Sequence, residues 1–432
     1  MNTILLTLFE AQIIRNYLSD SAQFLDNLSQ NNRLIIFSDS KNSATISKLS
    51  SKIQPDRIKL VVLENFEYSA VFKICSSVLK WSHKSSSVFR EIMSRCEVSK
   101  KTKIVTAIRI LIYFLLKSSD AVGKIIRLVI LKTFNAKKFE SHLGSQINGL
   151  NLAQSKSIFV TSLTNAKDIH VALFAKKMNI KIVGTVRSWD NLSSHGRLVI
   201  EPNIFYSHSD FMSETLLKFH SLKKCKVYTL VAPNYKETFI PERTEFLINK
   251  PLNIGYACMG ARVNPDDYNF INEFNKLAKI FPKQTFNIIQ HPMYPHKIEF
   301  SLNQNVRVVQ YNYDKLNLES YYKNLSTFDL IIGGGTSLLL DAAILETPAI
   351  FIGFEYQKHS YWTSALRYMD HVYHFNKFIE KTNIFICKSH SEMITIIRSG
   401  EFSLYRNNVK SISYFTGNTN LDLNAKLAEL IC

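Results

Sequence analysis

None of the six cysteines (Cys75, Cys96, Cys225, Cys258, Cys387 and Cys432) forms a Cys-x-x-Cys pair with another. Zinc fingers and dithiol redox motifs need that close spacing, so the sequence argues against both, and scattered thiols suit a reducing compartment. The chain has no His-Glu-x-x-His cluster and no Asp-x-Asp, so metal-dependent chemistry lacks its usual ligand patterns. A Gly-x-Ser-x-Gly elbow is missing, which disfavours serine hydrolysis. No apolar run reaches the roughly 20 residues that span a bilayer. Neither a repeat of about 20–50 residues nor a low-complexity tract is present, so a solenoid or a disordered chain is not expected. The opening stretch MNTILLTLFEAQIIRNYL has no positive n-region and no small-residue cleavage site. Its short apolar run predicts a buried first strand and a protein that stays in the cytoplasm.

What remains is a well-supplied globular chain. Its 432 residues are 46% hydrophobic and 20% charged. That length exceeds what one core usually organises, so two domains of roughly 200 residues each are expected. Acidic residues are under-represented, 35 against 53 basic, and the formal net charge of +18 points to anionic partners.

The positive charge is concentrated. Between Lys100 and Lys138 stand ten Lys or Arg residues and one acid, Asp120, with Glu140 just beyond. Lys103, Thr106, Arg109, Tyr113, Lys117, Asp120, Lys124 and Arg127 recur every three or four residues. On one helix they fall within a sector of about 120°, leaving Ile, Leu, Val and Phe elsewhere. That is the pattern of a basic amphipathic helix at an anionic membrane surface; the competing reading is a core helix with one solvated edge. Aromatic stacking platforms are lacking, as are helix-turn-helix, RNP and zinc motifs, so nucleic acid is not an expected partner.

Elsewhere short β-branched runs alternate with helical patterns, which predicts parallel sheets covered on both faces. ILLTLF, RLIIFSD and IKLVVLE precede the basic insertion at about 70–140; SIFVTSL, KIVGTVRSW, PNIFYSHS and KCKVYTLVA follow it. NYKETFIPERTEFLINKP, residues 234–251, has two prolines and no periodicity and reads as a linker. A second alternation then begins with LNIGYACM and continues through TFNIIQH, VRVVQY, DLIIGGG and PAIFIGF. The expected fold is α/β: two doubly wound Rossmann-like domains, 1–245 and 250–432, facing a cleft.

The sharpest motif is FDLIIGGGTSLLLDAAIL, a strand running into Gly333, Gly334, Gly335, Thr336 and Ser337 and then a helix. Glycines let backbone N–H groups approach a ligand, and the two hydroxyls add donors, so this is a candidate phosphate cradle. No Gly-Lys-Ser/Thr follows, so it is not a P-loop. Asp341, one turn further, can accept ribose hydroxyls. His291 closes the strand TFNIIQH before Pro292, where it can donate to a phosphate. Gly260 and Arg262 lie in the loop GYACMGARVNPDD, with Arg262 a candidate diphosphate clamp. In the first half, the loop VGTVRSWDNLSSHG offers Asp190 as a general base, and Glu10 at the end of the first strand is its rival.

The pair formed by Gln290-His291-Pro292 and DLIIGGGTSLLLDAAILETPAIFIGF resembles the carboxyl-terminal domain of GT-B glycosyltransferases. It is similar to CDP-glycerol glycerophosphotransferases, bacterial sialyltransferases and Kdo transferases, and to UDP-N-acetylglucosamine 2-epimerases. The resemblance implies phosphate binding by His291, Thr336 and Ser337, and ribose binding by Asp341. It departs where Gly-Gly-Gly-Thr-Ser replaces the Thr-Asp-Tyr-Ser-Ser of the glycerophosphotransferases. The implied activity is a metal-independent, inverting transfer from a CMP-, CDP- or UDP-linked donor, with no cofactor. The implied acceptor is a saccharide or lipid-linked precursor of a bacterial surface polysaccharide (capsule or lipopolysaccharide) at the inner face of the plasma membrane. A UDP-sugar 2-epimerase and a non-catalytic scaffold of polysaccharide assembly are the alternatives.

Overall fold

The structure, a computed structural model, describes residues 2–18, 23–50, 55–64, 66–98, 103–116, 119–236, 250–260, 264, 266–292, 294–311, 318–364, 366, 370–406 and 409–432. The chain divides into two compact units. One comprises Met1–Ile92, Ile104–Lys236 and Phe415–Cys432; the other comprises Met93–Lys103 and Glu237–Tyr414.

In the first unit the chain runs β1 (Asn2–Thr7), α1 (Ala11–Leu18), α2 (Gln23–Ser29), β2 (Asn32–Ser38), α3 (Ser40–Ser50) and β3 (Ile58–Val62). Five consecutive helices follow: α4 (Ala70–Trp81), α5 (Ser86–Val98, of which residues 93–98 count with the second unit), α6 (Lys103–Leu116), α7 (Asp120–Thr133) and α8 (Ala136–Leu143). The alternation resumes with β4 (Ser157–Val160), α9 (Ala166–Lys177), β5 (Lys181–Gly184), α10 (Asn191–Ser194), β6 (Ile204–Ser207), α11 (Asp210–His220) and β7 (Lys226–Thr229). These strands form one sheet of order β3-β2-β1-β4-β5-β6-β7, with every pairing parallel. Ile4, Leu5 and Leu6 of β1 and Ile158, Phe159 and Val160 of β4 are wholly buried, as expected for strands covered on both faces.

The second unit runs β8 (Asn253–Ala257), α12 (Asp267–Ile280), β9 (Thr285–Gln290), β10 (Val306–Gln310), α13 (Leu318–Leu325), β11 (Leu330–Gly333), α14 (Leu338–Ile344), β12 (Ala349–Ile352), α15 (Tyr373–Lys381), β13 (Phe385–Cys387), α16 (His390–Ser399) and α17 (Val409–Thr416). Its sheet, order β10-β9-β8-β11-β12-β13, is also parallel throughout. The doubly wound α/β reading therefore holds for both units. The three-residue β13 was not foreseen, being too short to carry a pattern.

Two sequence expectations need correction. Residues 415–432 belong to the first unit, although a division into consecutive halves assigns them to the second. The last helix, α18 (Leu423–Ile431), buries Leu423, Leu427 and Ile431 and packs on α2. Ser157 Oγ donates to the Ile431 carbonyl at 2.6 Å, and Lys181 Nζ donates to that of Leu430 at 2.8 Å. Just before it, Gly417 pairs antiparallel with Val231, and Ala232 N donates to Thr416 O at 2.9 Å. Most of the linker, residues 237–249, lies outside the described residues.

The second correction concerns the basic helix. It is two helices, because Ser119 caps α7 by accepting from Val122 N at 3.3 Å and so starts a new element. Of the stripe's side chains that are described, Asp120 and Lys124 are exposed, whereas Tyr113 and Arg127 turn toward the protein. Tyr113 is buried against Val88 and Ile92 of α5. Arg127 donates from Nε to Leu198 O and from Nη2 to His220 O, both at 2.8 Å. Backbone carbonyls draw Arg127 in, since a guanidinium turned from water must fill its donors. Arg197, with a side chain at 0% exposure, bonds Ser82 O and Ser119 O in the same way and braces the inserted helices. Among the described residues no helix is long and apolar enough to cross a membrane.

Candidate functional site

In doubly wound sheets, ligands bind beyond the carboxyl ends of the strands, where the order reverses. In the second unit that point lies between β8 and β11, since β8 leads outward to β9 and β10 while β11 leads to β12 and β13. The structure brings three sequence motifs together there.

The first is the turn after β8. Gly260 has φ of 94°, and a Cβ there would stand 3.0 Å from Tyr294 Cβ and 3.1 Å from His291 Cβ. Only glycine combines that backbone with so close an approach. The turn is anchored by Asp267, a fully buried carboxylate at the start of α12. Asp267 accepts from Gly260 N at 3.0 Å, from Tyr256 OH at 2.5 Å and from His296 Nε2 at 2.7 Å. Its neighbour Asp266, also buried, accepts from Tyr356 N at 2.8 Å and Asn269 Nδ2 at 2.7 Å. Two adjacent carboxylates therefore fix the loops that follow β8, β9 and β12.

The second motif is the loop after β9. Gln290 closes it, its Oε1 accepting from His296 N at 2.8 Å and its Nε2 donating to His296 O at 3.3 Å. Within this loop His291 is half-buried and stacks on Tyr294, ring centroids 5.3 Å apart. Tyr294 N donates to His291 Nδ1 at 3.2 Å, which assigns the ring proton to Nε2. Burial lowers the imidazole pKa below its ordinary value, with His296 adding to that and Asp267 opposing it. A neutral ring with a proton on Nε2 is a hydrogen-bond donor.

The third is the glycine run after β11. A Cβ on Gly334 would fall 2.6 Å from Met259 Sδ, so this turn lies directly against the end of β8. Thr336 N donates to Gly334 O at 2.8 Å, and Thr336 Oγ1 accepts from Leu338 N at 3.3 Å. That leaves the Thr336 hydroxyl proton to donate. Ser337 is exposed at the start of α14, and its side chain makes no capping bond. Gly335 is partly exposed between them. Asp341 accepts from Tyr321 OH at 2.7 Å, so one of its oxygens is engaged by α13. Arg262 lies outside the described residues.

In the first unit the corresponding reversal is between β1 and β4. Glu10 stands there. It accepts from Asn165 Nδ2 at 2.8 Å and from Arg187 Nη1 at 3.0 Å, which joins the loops after β1, β4 and β5. Its side chain remains 22% exposed, enough to meet a ligand. Asp190 is placed differently, at the start of α10, where Asn191 Nδ2 and Ser194 Oγ donate to it at 3.3 and 3.2 Å. Beside it Trp189 is buried against Phe211 and Phe415, so that loop is partly a core element. Behind Glu10 sits Asp168, 1% exposed, accepting from the hydroxyl of Thr7, while its Oδ2 has no hydrogen-bond partner among the described residues. Burial pushes its pKa up to about 8, against the Thr7 bond and with help from the charge of Glu10. It is therefore largely protonated at neutral pH.

Sequence reasoning missed Asp266, Asp267, His296 and Asn165. Pro265-Asp266-Asp267 ahead of a helical pattern was a visible start signal, but only the assembled sheet shows that these carboxylates bind neighbouring loops. Among the described residues no group of three or more His, Cys, Asp and Glu is arranged to hold a metal ion.

Two successive doubly wound parallel units of this kind are the GT-B architecture. Solved structures share it along the whole chain. UGT89C1 of Arabidopsis thaliana, crystallised with UDP, has a TM-score of 0.55 at 11% identity and covers 100% of both chains. The UDP-GlcNAc 2-epimerase of Neisseria meningitidis, bound to UDP-GlcNAc, has a TM-score of 0.53 at 11% identity over 99% of each chain. The glycotransferase of kitacinnamycin has a TM-score of 0.51 at 9% identity, covering 100% of this chain and 98% of its own. At these identities the likeness is one of fold. No protein-family model matches the sequence, and no curated protein does.

Proposed function

We propose that this chain is a metal-independent glycosyltransferase that moves a sugar, or a polyol phosphate, from a nucleotide-activated donor to a membrane-associated polysaccharide or lipid-linked acceptor. The observation that carries the reading is the convergence of Gly260, His291 and the Gly333–Ser337 turn at the reversal point of the second sheet. His291 donates from Nε2 to a donor phosphate. Thr336 and Ser337 add hydroxyl donors, and the glycines keep side chains out of the way of the diphosphate. Asp341 holds the ribose, and Arg262 is assigned the diphosphate. In the first unit a carboxylate takes the acceptor's proton. Glu10 is the better placed of the two candidates, because Asn165 and Arg187 hold it at a strand end, whereas Asp190 is occupied by its own turn. The acceptor is presented at an anionic membrane surface met by residues about 100–138, on the cytoplasmic side. The solved structures with UDP or UDP-GlcNAc in the same fold favour a uridine nucleotide within the CMP, CDP and UDP set.

The epimerase among the neighbours keeps a second reading open: isomerisation of a UDP-sugar without an acceptor. A thermal-shift panel of CMP, CDP, UDP, GDP and their sugar conjugates tests both, run on the wild type and on His291→Ala. A ligand at 100 times its Kd adds about 2.7 kcal/mol of stability. Stabilisation by one nucleotide class, lost in the variant, supports donor binding. Product analysis with that nucleotide sugar alone then separates the readings, since an isomerised sugar without acceptor means epimerisation. Silence across the whole panel turns the weight to a non-catalytic scaffold.

A further inference from the structure

Glu10 shares the reversal point of the first sheet with a second carboxyl group. Asp168, in the first turn of α9, is 1% exposed, and its Oδ2 has no hydrogen-bond partner among the described residues. Its Oδ1 accepts from the hydroxyl of Thr7. That hydroxyl in turn accepts from Thr161 N at 3.1 Å, and Thr161 Oγ1 donates to Thr7 O at 2.7 Å. Asp168 thus ties the end of β1 to the end of β4, just ahead of Glu10. Asn165, which caps the same helix, closes the circuit. Its Oδ1 accepts from Asp168 N at 3.4 Å, and its Nδ2 donates to Glu10 Oε1 at 2.8 Å. One turn of α9 therefore grips β1 at Thr7 and holds the carboxylate of Glu10 beyond it.

The two carboxyl groups stand in opposite surroundings. Glu10 has a donor on each oxygen, Asn165 on Oε1 and Arg187 Nη1 on Oε2 at 3.0 Å, and its side chain is 22% exposed. Asp168 is out of contact with bulk water, and the cations near it are engaged. Lys167, its neighbour on α9, pairs with Asp39 at 3.3 Å, and Arg187 pairs with Glu10. On the same helix His170 is buried, which lowers its imidazole pKa to about 4 and keeps the ring neutral. From the segment before α4, the Tyr68 phenol is kept neutral by burial and then by the charge of Asp168. A buried carboxylate with an unpaired oxygen is costly, and two neighbouring carboxylates resist ionising together. With environments this unequal, the exposed, doubly bonded group carries the charge and the buried one the proton.

The geometry points to Asp168 as a positioning residue of the acceptor site: as a neutral carboxylic acid it holds β1 through Thr7 and leaves the negative charge of the pair on Glu10. The assignment rests on the reading of Glu10 as the general base and adds the group that keeps that base in place. Glu10 takes the proton of the acceptor hydroxyl, and Asp168 keeps its own throughout. An ionised Asp168 sets a second anion behind Glu10 and competes for its donors, Asn165 and Arg187. Transfer is therefore supported with Asp168 protonated and declines as pH rises past about 8.

Infrared difference spectra of the full chain read the proton directly. At pH 7 the wild type is expected to show the C=O band of a protonated carboxylic acid that is missing from Asp168→Asn. The band should fade as pH rises past about 8. In Glu10→Gln it should fade at a lower pH, because the charge that helps to hold the proton is gone. With the nucleotide sugar named by the thermal-shift panel, the kcat of the wild type should fall on the alkaline side with the same midpoint. Asp168→Asn copies the neutral acid, so it should cost less than about tenfold in kcat at pH 7 and lose the alkaline fall. Asp168→Ala releases Thr7 and should cost about 10²-fold through misplacement of Glu10, with nucleotide stabilisation retained as the check on folding. Absence of the acid band at pH 7 overturns the proposal. So does a midpoint that Glu10→Gln leaves in place, or an alkaline fall that persists in Asp168→Asn. The infrared measurement uses neither donor nor acceptor, whereas silence in the nucleotide panel removes the transfer reading itself, so the two fail separately.

Discussion

Gly260 and His291 lie so close across the ends of β8 and β9 that a Cβ on the glycine would stand 3.1 Å from both Cβ and Cγ of the histidine. The turn after one strand therefore sets where the imidazole of the next one points. Asp267 extends that relationship, because it fixes the Gly260 amide and the His296 ring with a single carboxylate.

Gly260→Ala is expected to disturb the nucleotide site more than the fold. A residue with φ of 94° in place of glycine costs about 1–3 kcal/mol, and relief of the contact would move His291. In the thermal-shift panel the variant should keep a measurable melting transition, lowered by several degrees, and lose most of the stabilisation given by the best nucleotide. Full retention of that stabilisation would show that His291 position does not govern binding.

Glu10 and Asp190 can be told apart by turnover. With the donor named by the panel, Glu10→Gln should lower kcat by about 10²–10⁴ while nucleotide stabilisation is kept, as loss of a general base does. Asp190→Asn should lower it less than about tenfold, because its carboxylate serves its own turn. The reverse pattern would move the base to Asp190.

Asp168 predicts a slope of stability with pH. Its pKa in the folded state is raised to about 8, above the ordinary 3.8, so the folded protein holds a proton that the unfolded chain has released. Its contribution is present below about pH 4 and is lost as pH rises toward 8, by at most about 1.4 kcal/mol per pH unit. Urea unfolding of wild type and Asp168→Asn at pH 5, 7 and 8.5 measures this as a difference. The variant should gain relative to the wild type as pH rises; a constant difference means that Asp168 does not titrate in that range.

Gly417 tests the return of the chain to the first unit. Its φ is 83°, and a Cβ would lie 2.1 Å from Leu230 O and 2.4 Å from His208 O. Carbonyl oxygens of a strand end cannot yield as a flexible side chain does. Gly417→Ala should therefore cost about 3 kcal/mol or more and lower the melting temperature with little effect on nucleotide affinity per folded molecule. An unaltered melting temperature would show that residues 415–432 are not a structural part of the first unit.

The sequence by itself determined twelve of the thirteen strands and the motifs at the second sheet's reversal point. Fully buried parallel strands such as Leu330–Gly333 are continuous apolar runs, and a strand that breaks into Gly-Gly-Gly-Thr-Ser before a helix is visible without a fold. Tertiary structure alone decided which of those residues meet. The contacts of Gly260 with His291, of Glu10 with Asn165 and Arg187, and of residues 415–432 with the first sheet join positions dozens to hundreds apart in the chain, and no local pattern encodes such a pairing. It also decided the orientation of α6 and α7. Periodicity shows that two faces of a helix differ, but which of them turns inward depends on partners elsewhere, and here the carbonyls of Leu198 and His220 drew Arg127 inward and left Leu128 outside.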